Sequence, residues 1–413
     1  MVNLYIFNES SRATVFGIGT YIRELSSALK DSGINVCIVH LRSGIQEKKS
    51  VESDGIRHLH IPPPVNRNIS LVWNRPSELY YRNVVYLLRL QIKDTDRLVF
   101  HLNYNQSGKL AEELKKTFDC KIITIVHYLE WCFALLGNVT RFRNILATQD
   151  ADQRDKLKET VDESFRKEKT FFEKVDHIIC LSENTRIVLQ DDYQIKPDKV
   201  TVIYNGLTDS ILTSDKQALR RKYHIPDIPV ILFAGRIDDI KGLKYALQAF
   251  KTVLNTQPHC HFIIAGSGSF DIFMKECEDI WMHVTWTGLI DRNKLFDLYF
   301  IADIGVMPSF HEQCSYVAIE MMMHGLPIIS STTTGLKEMI VDGETGLHIP
   351  VIAYDDSVEI DTDLLAEKML YLLQHPDVRI RMGINARKRY LRCYSSKIFR
   401  RNMLKFYQSL FTD

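Results

Sequence analysis

The chain has 413 residues, enough for two ordinary domains, each with its own core. Apolar residues make up 45% and charged residues 25%, which excludes a disordered or fibrous chain, and 52 Lys+Arg against 51 Asp+Glu argue against a general nucleic-acid binder. No run reaches the roughly 18 apolar residues of a spanning helix, Val2–Phe7 lead straight into a strand-like pattern without a basic leader, and the eight cysteines contain no C-x-x-C pair. A cytoplasmic location is expected, without a disulfide framework or a cysteine-based metal site.

From the N-terminus, short β-branched runs alternate with helical periodicity. The first half predicts strands at Asn3–Phe7, Val36–Val39, Leu98–His101, Ile122–His127, His177–Leu181 and Val200–Ile203. Behind the first strand, Tyr21, Leu25, Ala28 and Leu29 recur at helical spacing and Gly33 closes the helix. Pro62-Pro63-Pro64 through Pro76 reads as an irregular loop, and residues 129–175 as a long, charged helical insertion, each either a wall over a ligand cleft or an ordinary surface insertion. After Asn205-Gly206 comes a polar stretch, then Ile225-Pro226, and the pattern restarts, so 207–228 reads as a hinge. The second half predicts strands at Val230–Phe233, Phe262–Ala265, Val284–Trp286, Ile304–Met307 and Pro327–Ser330. Alternation of this kind is α/β with parallel sheets, here as two doubly wound halves of about 200 residues each. Residues 377–413 hold ten Lys/Arg against two acids, either a solvated helix face or a surface drawn to an anionic membrane or substrate.

Four signals carry chemistry, each just after a predicted strand, where open parallel sheets bind ligands. Gly17-Ile18-Gly19 precedes a helix; it is either a start that lets amides approach an anion or a plain turn, and Ile22 breaks the dinucleotide fingerprint. Gly235-Arg236 and Lys241-Gly242 follow the strand at Val230, so a guanidinium and an ammonium can point at one diphosphate, or form a surface basic pair. The third is Pro308–Glu320. A strand leads into a loop with Glu312, and Ser315 caps a helix carrying Glu320, at most ~12 Å further along a helix axis. Two carboxylates at that spacing suit a ligand with hydroxyl-rich ends and phosphates between them; the plainer reading is a loop acid and a solvated helix residue. His127 ends the strand at Ile122, either as a ligand contact or as a structural histidine.

Taken together, G-x-G, the strand-end His, A-G-R…K-G, E-x7-E, H-G-L-P and D-G-E-T-G-L (Asp342–Leu347) resemble the retaining glycosyltransferases of family 4, bacterial members included. The resemblance runs through nearly the whole chain in order. It implies the B-type fold, two Rossmann-like domains facing a central cleft. Residues 1–207 would then be the acceptor domain and 208–390 the nucleotide-sugar donor domain, with a helix at about 391–413 returning to the first. It also implies transfer of a sugar from a nucleoside-diphosphate sugar to an acceptor hydroxyl with retention at the anomeric carbon, without metal or cofactor. Carried over by residue, Glu320 would bind ribose, Glu312 the donor sugar, and Arg236 and Lys241 the leaving diphosphate. Gly17 and Gly19 would approach the donor through main-chain amides and His127 would touch the sugar. Gly266, Gly268 and Leu289 would border the base, and Cys314, Ser315 and Tyr316 would line the phosphates.

The family's usual glycine-aromatic-glycine after the first glutamate is here Gln313-Cys314-Ser315, which puts side chains where backbone should face the donor. Readings of another class are a catalytically weak sugar-nucleotide-binding scaffold protein, or a nucleotide-sugar epimerase or phosphorylase on the same fold. The acceptor (glycan, lipid-linked saccharide, peptide or small metabolite) stays open, as does peripheral membrane contact; a nucleic-acid partner is not expected.

Overall fold

The computed structural model describes residues 1–9, 17–63, 76–148, 155–211 and 215–412. The chain divides into two compact units. The first comprises Met1–Glu130, Arg154–Gly206 and Ser396–Asp413, and the second Trp131–Gln153 and Leu207–Ser395.

In the first unit, the strands are β1 (Val2–Glu9), β2 (Ile34–Leu41), β3 (Lys49–Ser53), β4 (Ile56–His60), β5 (Leu98–Leu102), β6 (Lys121–Val126), β7 (His177–Cys180) and β8 (Val200–Val202). Among the described residues they form one sheet in the order β3-β4-β2-β1-β5-β6-β7-β8. Pairing is parallel throughout except in the β3–β4 hairpin. The near-continuous burial and largely apolar make-up of β1, β5 and β6 follow from cover on both faces. The hairpin escaped the sequence reading because β3 is polar and largely exposed; its mark is Asp54-Gly55, both at positive φ (54° and 76°), which suits a two-residue hairpin turn. Most of the expected loop from Pro62 to Pro76 lies outside the described residues, and Pro76 opens a helix, Pro76–Gln91.

In the second unit, β9 (Val230–Ala234), β10 (His261–Ala265), β11 (Val284–Gly288), β12 (Ile304–Met307), β13 (Ile328–Ser331) and β14 (Gly346–Ile349) form a parallel sheet in the order β11-β10-β9-β12-β13-β14. A small antiparallel pair, β15 (Val351–Ala353) and β16 (Val358–Ile360), stands apart. The winding reverses between β9 and β12, so the loops leaving these two neighbours run in opposite directions and open a crevice at their carboxyl ends.

Two features depart from the expected division. The insertion after His127 is split, with only the helix Lys156–Lys174 belonging to the first unit. Residues 131–153, expected within the first domain, belong to the second. There Trp131 stacks on Phe142 with ring centroids 4.2 Å apart. Asn138 caps the helix Val139–Ala147 through Arg141 N (2.9 Å) and donates to the Tyr354 and Ser357 carbonyls (2.8 and 3.2 Å). Those partners lie some 200 residues away in sequence, beyond any local signal.

The basic C-terminal stretch also has a structural account. The helix Ser396–Ser409 buries Phe399, Met403, Phe406 and Tyr407 in the first unit, with Phe399 edge-on to Tyr21 and the Tyr407 hydroxyl 2.7 Å from His101 Nδ1. Arg400 donates to the carbonyls of Ala28 and Lys30, the last turn and exit of the helix Gly17–Leu29. Arg379 donates to the Leu372 and Leu373 carbonyls, Arg387 to that of Met323, and Arg389 to those of Glu338 and Met339. Each caps carbonyls at a helix C-terminus, where a cation is favoured.

The helix Lys156–Lys174 places a buried carboxylate, Glu168, inside the first unit. It accepts from Asn105 Nδ2 (2.8 Å), Glu130 N (2.9 Å) and the Tyr193 hydroxyl (2.5 Å). Burial outweighs these donors and pushes its pKa up to about 7. A folded pKa above the unfolded value means that the native state holds the proton more tightly. Glu168 therefore contributes stability below about pH 4.5 that is lost as the pH rises through about 7. Urea unfolding of Glu168→Gln is expected to show a shallower loss of stability between pH 5 and 8 than the wild type, and identical slopes would contradict this account.

Candidate active site

The crevice of the second sheet is built from three loops. Leaving β9, the chain turns through Gly235 and Arg236 to Lys241, then enters the helix Leu243–Thr256. Leaving β12, it runs from Pro308 to Cys314 before Ser315 caps the helix Tyr316–Met323 by accepting from Ala318 N. These are the two loops that the reversed strand order separates, and side chains from both meet across it. Lys241 Nζ lies 2.5 Å from Glu312 Oε1, a pair less than a fifth exposed. Beside it Arg236 pairs with Asp238 at 2.9 Å and lies over the Phe133 ring at 5.7 Å. Burial raises the Asp238 pKa, opposed by the neighbouring Arg236 and Lys241 charges. Two cations and two carboxylates thus share the crevice floor. Of these, Asp238 was not foreseen, because a loop acid next to a basic residue carries no distinctive spacing.

The Glu312 loop is clamped from the end of β13 and from the third loop, which follows it. The Ser331 hydroxyl donates to the Ser309 carbonyl, Thr333 Oγ1 to the Phe310 carbonyl (2.5 Å), and Thr334 Oγ1 to that of Glu312. Thr334 Oγ1 also accepts from Glu312 N (3.2 Å), and Gly335 N donates to Glu312 O (2.8 Å). These residues escaped the sequence reading; the available signal was the Ser-Ser-Thr-Thr-Thr-Gly run behind a strand. Next to Glu312, His311 is only 7% exposed, and among the described residues neither ring nitrogen has a partner. Burial, aided by Lys241, pushes its pKa down to about 3, so the ring is neutral.

Glu320 lies on the buried side of its helix, 8% exposed. Its Oε2 accepts from the Tyr299 hydroxyl at 2.9 Å, and its Oε1 is 3.7 Å from Arg292 Nε. Tyr299 and Arg292 share the helix Arg292–Ile301, whose start follows β11 and the exposed Leu289. Neither was singled out from sequence. Gly266 and Gly268 lie in the loop after β10, which zips onto the β9 loop: Gly235 N donates to Ala265 O and Ile237 N to Ser267 O. A Cβ on Gly266 would stand 1.7 Å from Gly235 O, and one on Gly268 would stand 2.0 Å from Ile237 O. Packing of backbone on backbone therefore accounts for both glycines. At Gln313-Cys314-Ser315, where three side chains stand, Gln313, Cys314 and Ser315 are buried and Tyr316 is half-buried.

Gly17, Gly19 and His127 belong to the first unit. Gly17 opens its helix exposed, with open space where a Cβ would stand. His127 follows β6, with Nε2 3.1 Å from Asn103 Oδ1 and its ring edge-on to Tyr21 at 5.0 Å. Asn103 Nδ2 donates to Phe7 O, so Oδ1 faces the imidazole and can only accept; the proton sits on Nε2, leaving Nδ1 as an acceptor. Burial pushes the His127 pKa down to about 3, so the ring acts as a neutral group.

The clamp has a direct test. A Cβ on Gly335 would stand 1.6 Å from the Gln313 carbonyl oxygen. Gly335→Ala must therefore move the Glu312 loop, and is expected to cost about 1–3 kcal/mol in chemical denaturation. An unchanged midpoint would show that the loop yields without cost.

Comparison with known proteins matches residues 15–210 to the family described as Glycosyltransferase Family 4 and residues 215–389 to Glycosyl transferases group 1. Among curated relatives, an alpha-D-kanosaminyltransferase of Streptomyces kanamyceticus is 26% identical over 51% of this chain and 54% of its own length. A D-inositol 3-phosphate glycosyltransferase of Stackebrandtia nassauensis is 25% identical over 81% of this chain and 75% of its own. The chain spans about half the length of the first curated relatives it matches. Similar solved structures include a sucrose-phosphate synthase of Thermosynechococcus elongatus, with TM-score 0.77 and 22% identity, covering 100% of this chain and 99% of the other. Another is HepE of Anabaena in complex with UDP and glucose, with TM-score 0.73 and 13% identity, covering 99% and 100%. At these identities the likeness is one of fold.

Proposed function

Since the chain belongs to the family 4 glycosyltransferases, with the group 1 domain as its second half and the GT-B fold, we propose that it moves a sugar from a nucleoside-diphosphate sugar to an acceptor hydroxyl with retention and without metal. The observation that carries this reading is the meeting of Arg236, Lys241 and Glu312 at the reversal point of the second sheet, with Glu320 on the helix that follows. Support for a nucleotide donor comes also from the fold neighbour crystallised with UDP and glucose.

In this proposal the Lys241–Glu312 pair is the resting arrangement. When a donor binds, the ammonium turns to the diphosphate and the Glu312 carboxylate accepts from sugar hydroxyls, so neither charge stays buried and unpaired. Arg236 takes phosphate oxygens in bidentate fashion. The bond from the anomeric carbon to the diphosphate oxygen breaks, charge collects on the leaving group, and the two cations and the amides at the start of the helix Tyr316–Met323 stabilise it. The acceptor oxygen bonds to the anomeric carbon on the face that the leaving group vacates, and its proton passes to the departing diphosphate. His127, Gly17 and Gly19 would serve from the first unit, His127 offering Nδ1 to a sugar hydroxyl. A role in bacterial glycoconjugate or polysaccharide synthesis is consistent with the curated relatives, among them a capsular polysaccharide biosynthesis glycosyltransferase of Staphylococcus aureus.

The test is a panel of nucleoside-diphosphate sugars, first by the melting-temperature shift each produces, then by NMR of the product's anomeric configuration with and without EDTA. Retention and chelator-insensitive turnover are expected; inversion would defeat the mechanism, and binding without turnover on any acceptor would favour a scaffold role. Lys241→Ala should lower turnover on the order of 100-fold and also lower the melting temperature, because it leaves the shielded Glu312 carboxylate without its cation, whereas near-wild-type turnover would remove Lys241 from the site.

A further inference from the structure

We infer that Arg292 is a specificity-determining residue of the nucleoside end of the site, sharing the ribose diol of the donor with Glu320. The inference rests on the assignment of Glu320 to ribose in the proposed function and adds a residue that no family motif marks.

The geometry around Glu320 is uneven. Oε2 accepts a hydrogen bond from the Tyr299 hydroxyl at 2.9 Å, which fixes the carboxylate's orientation. Oε1 faces Arg292 Nε at 3.7 Å, close enough for electrostatic attraction but too far for a hydrogen bond. Among the described residues, Arg292 Nε and Nη2 have no hydrogen-bond partner although both are shielded from solvent. The guanidinium is otherwise well placed. Its helix begins at Arg292, Asp291 caps that helix by accepting from Lys294 N, and the guanidinium carbon lies 4.9 Å from the Phe296 ring centroid. About a third of the side chain is exposed, so the group borders solvent on one side and the carboxylate on the other.

Shielded N–H donors left without a partner cost stability. A vicinal diol removes that cost for the guanidinium. One hydroxyl donates its proton to Glu320 Oε1 and receives N–H from the guanidinium, and the neighbouring hydroxyl can accept from the same planar fork. An ammonium lacks that fixed planar fork, an apolar side chain has no donor at all, and a carboxylate without a facing donor would hold only the hydrogens of the diol. The pair reads both polar functions of a hydroxyl, so a sugar lacking one hydroxyl would leave a buried donor or acceptor unmatched, the kind of mismatch that discriminates strongly. Arg292 therefore favours ribonucleoside over deoxyribonucleoside diphosphates.

The experiment is calorimetric titration of the full chain with UDP, ADP and GDP, and with the 2′-deoxy and 3′-deoxy forms of whichever binds. Wild type, Arg292→Ala, Arg292→Lys and Tyr299→Phe are compared. The wild type should prefer the ribonucleotide about ten-fold or more. Arg292→Ala should lose most of that preference by weakening the ribonucleotide while leaving the deoxy form nearly unchanged, and Arg292→Lys, which keeps the charge but not the fork, should not restore it. Equal weakening of both forms, rescued by Lys, would overturn the inference by showing long-range attraction of the phosphates alone. Unchanged affinities in Arg292→Ala would overturn it outright. A wild type that binds none of the nucleotides would instead sink the donor assignment; a wild type that binds without distinguishing ribose leaves that assignment standing and removes Arg292 and Glu320 from it. Circular dichroism of each variant separates misfolding from a local effect.

Discussion

The second unit depends on how the loop behind β12 is held. Ser331, Thr333, Thr334 and Gly335 bond its peptide groups from Ser309 to Glu312, and Phe310 N bonds to Ile240 O across the strand reversal. A loop at the open end of a parallel sheet has no ladder to satisfy its amides and carbonyls, and unpaired polar backbone is costly where water is excluded. Hydroxyl side chains from the end of β13 and the loop after it fill that role. Because the clamp grips backbone, it leaves the Glu312 carboxylate and the Lys241 ammonium to face each other. The cation and the anion thus meet from two separate loops whose backbones are bonded to each other.

The same economy appears in the basic residues of the C-terminal stretch. Its surplus of Lys and Arg looks from composition like a patch for an anionic partner. In the structure Arg379, Arg387, Arg389 and Arg400 each point back at carbonyls that end a helix. Their charge completes helix ends that would otherwise expose four carbonyls. Exposed cations such as Lys388, Lys397 and Arg401 remain on the surface, but the stretch as a whole is occupied with holding helices together.

Within the candidate site, sequence and structure agree on different things for different reasons. Arg236, Lys241 and Glu312 were legible because a charged residue just past a buried strand breaks the local hydrophobic pattern, and the loop ends of parallel strands are where ligands bind; Glu320 was legible from its spacing to Glu312 on the helix that follows. Tyr299 and Arg292 were not legible, since on a half-buried helix an aromatic residue reads as core and a basic residue as surface. The glycines at 266 and 268 were legible as glycines but not in their cause, which is the contact of one loop's backbone with another's. Trp131–Gln153 followed the sequence order of the first half and yet joined the second unit, because its capping partners are remote in sequence.

The amino-acid sequence alone determined the class of fold, most strands of both sheets and the two pairs of charged residues, since periodicity, burial and strand-end position are local properties that a linear pattern carries. Tertiary structure decided which charges pair, which hydroxyls clamp the Glu312 loop, what faces Glu320, and to which unit the segment after Glu130 belongs. Each of these is a contact between chain segments tens to hundreds of residues apart, set by the order in which strands lie in a sheet, and no local pattern encodes that order.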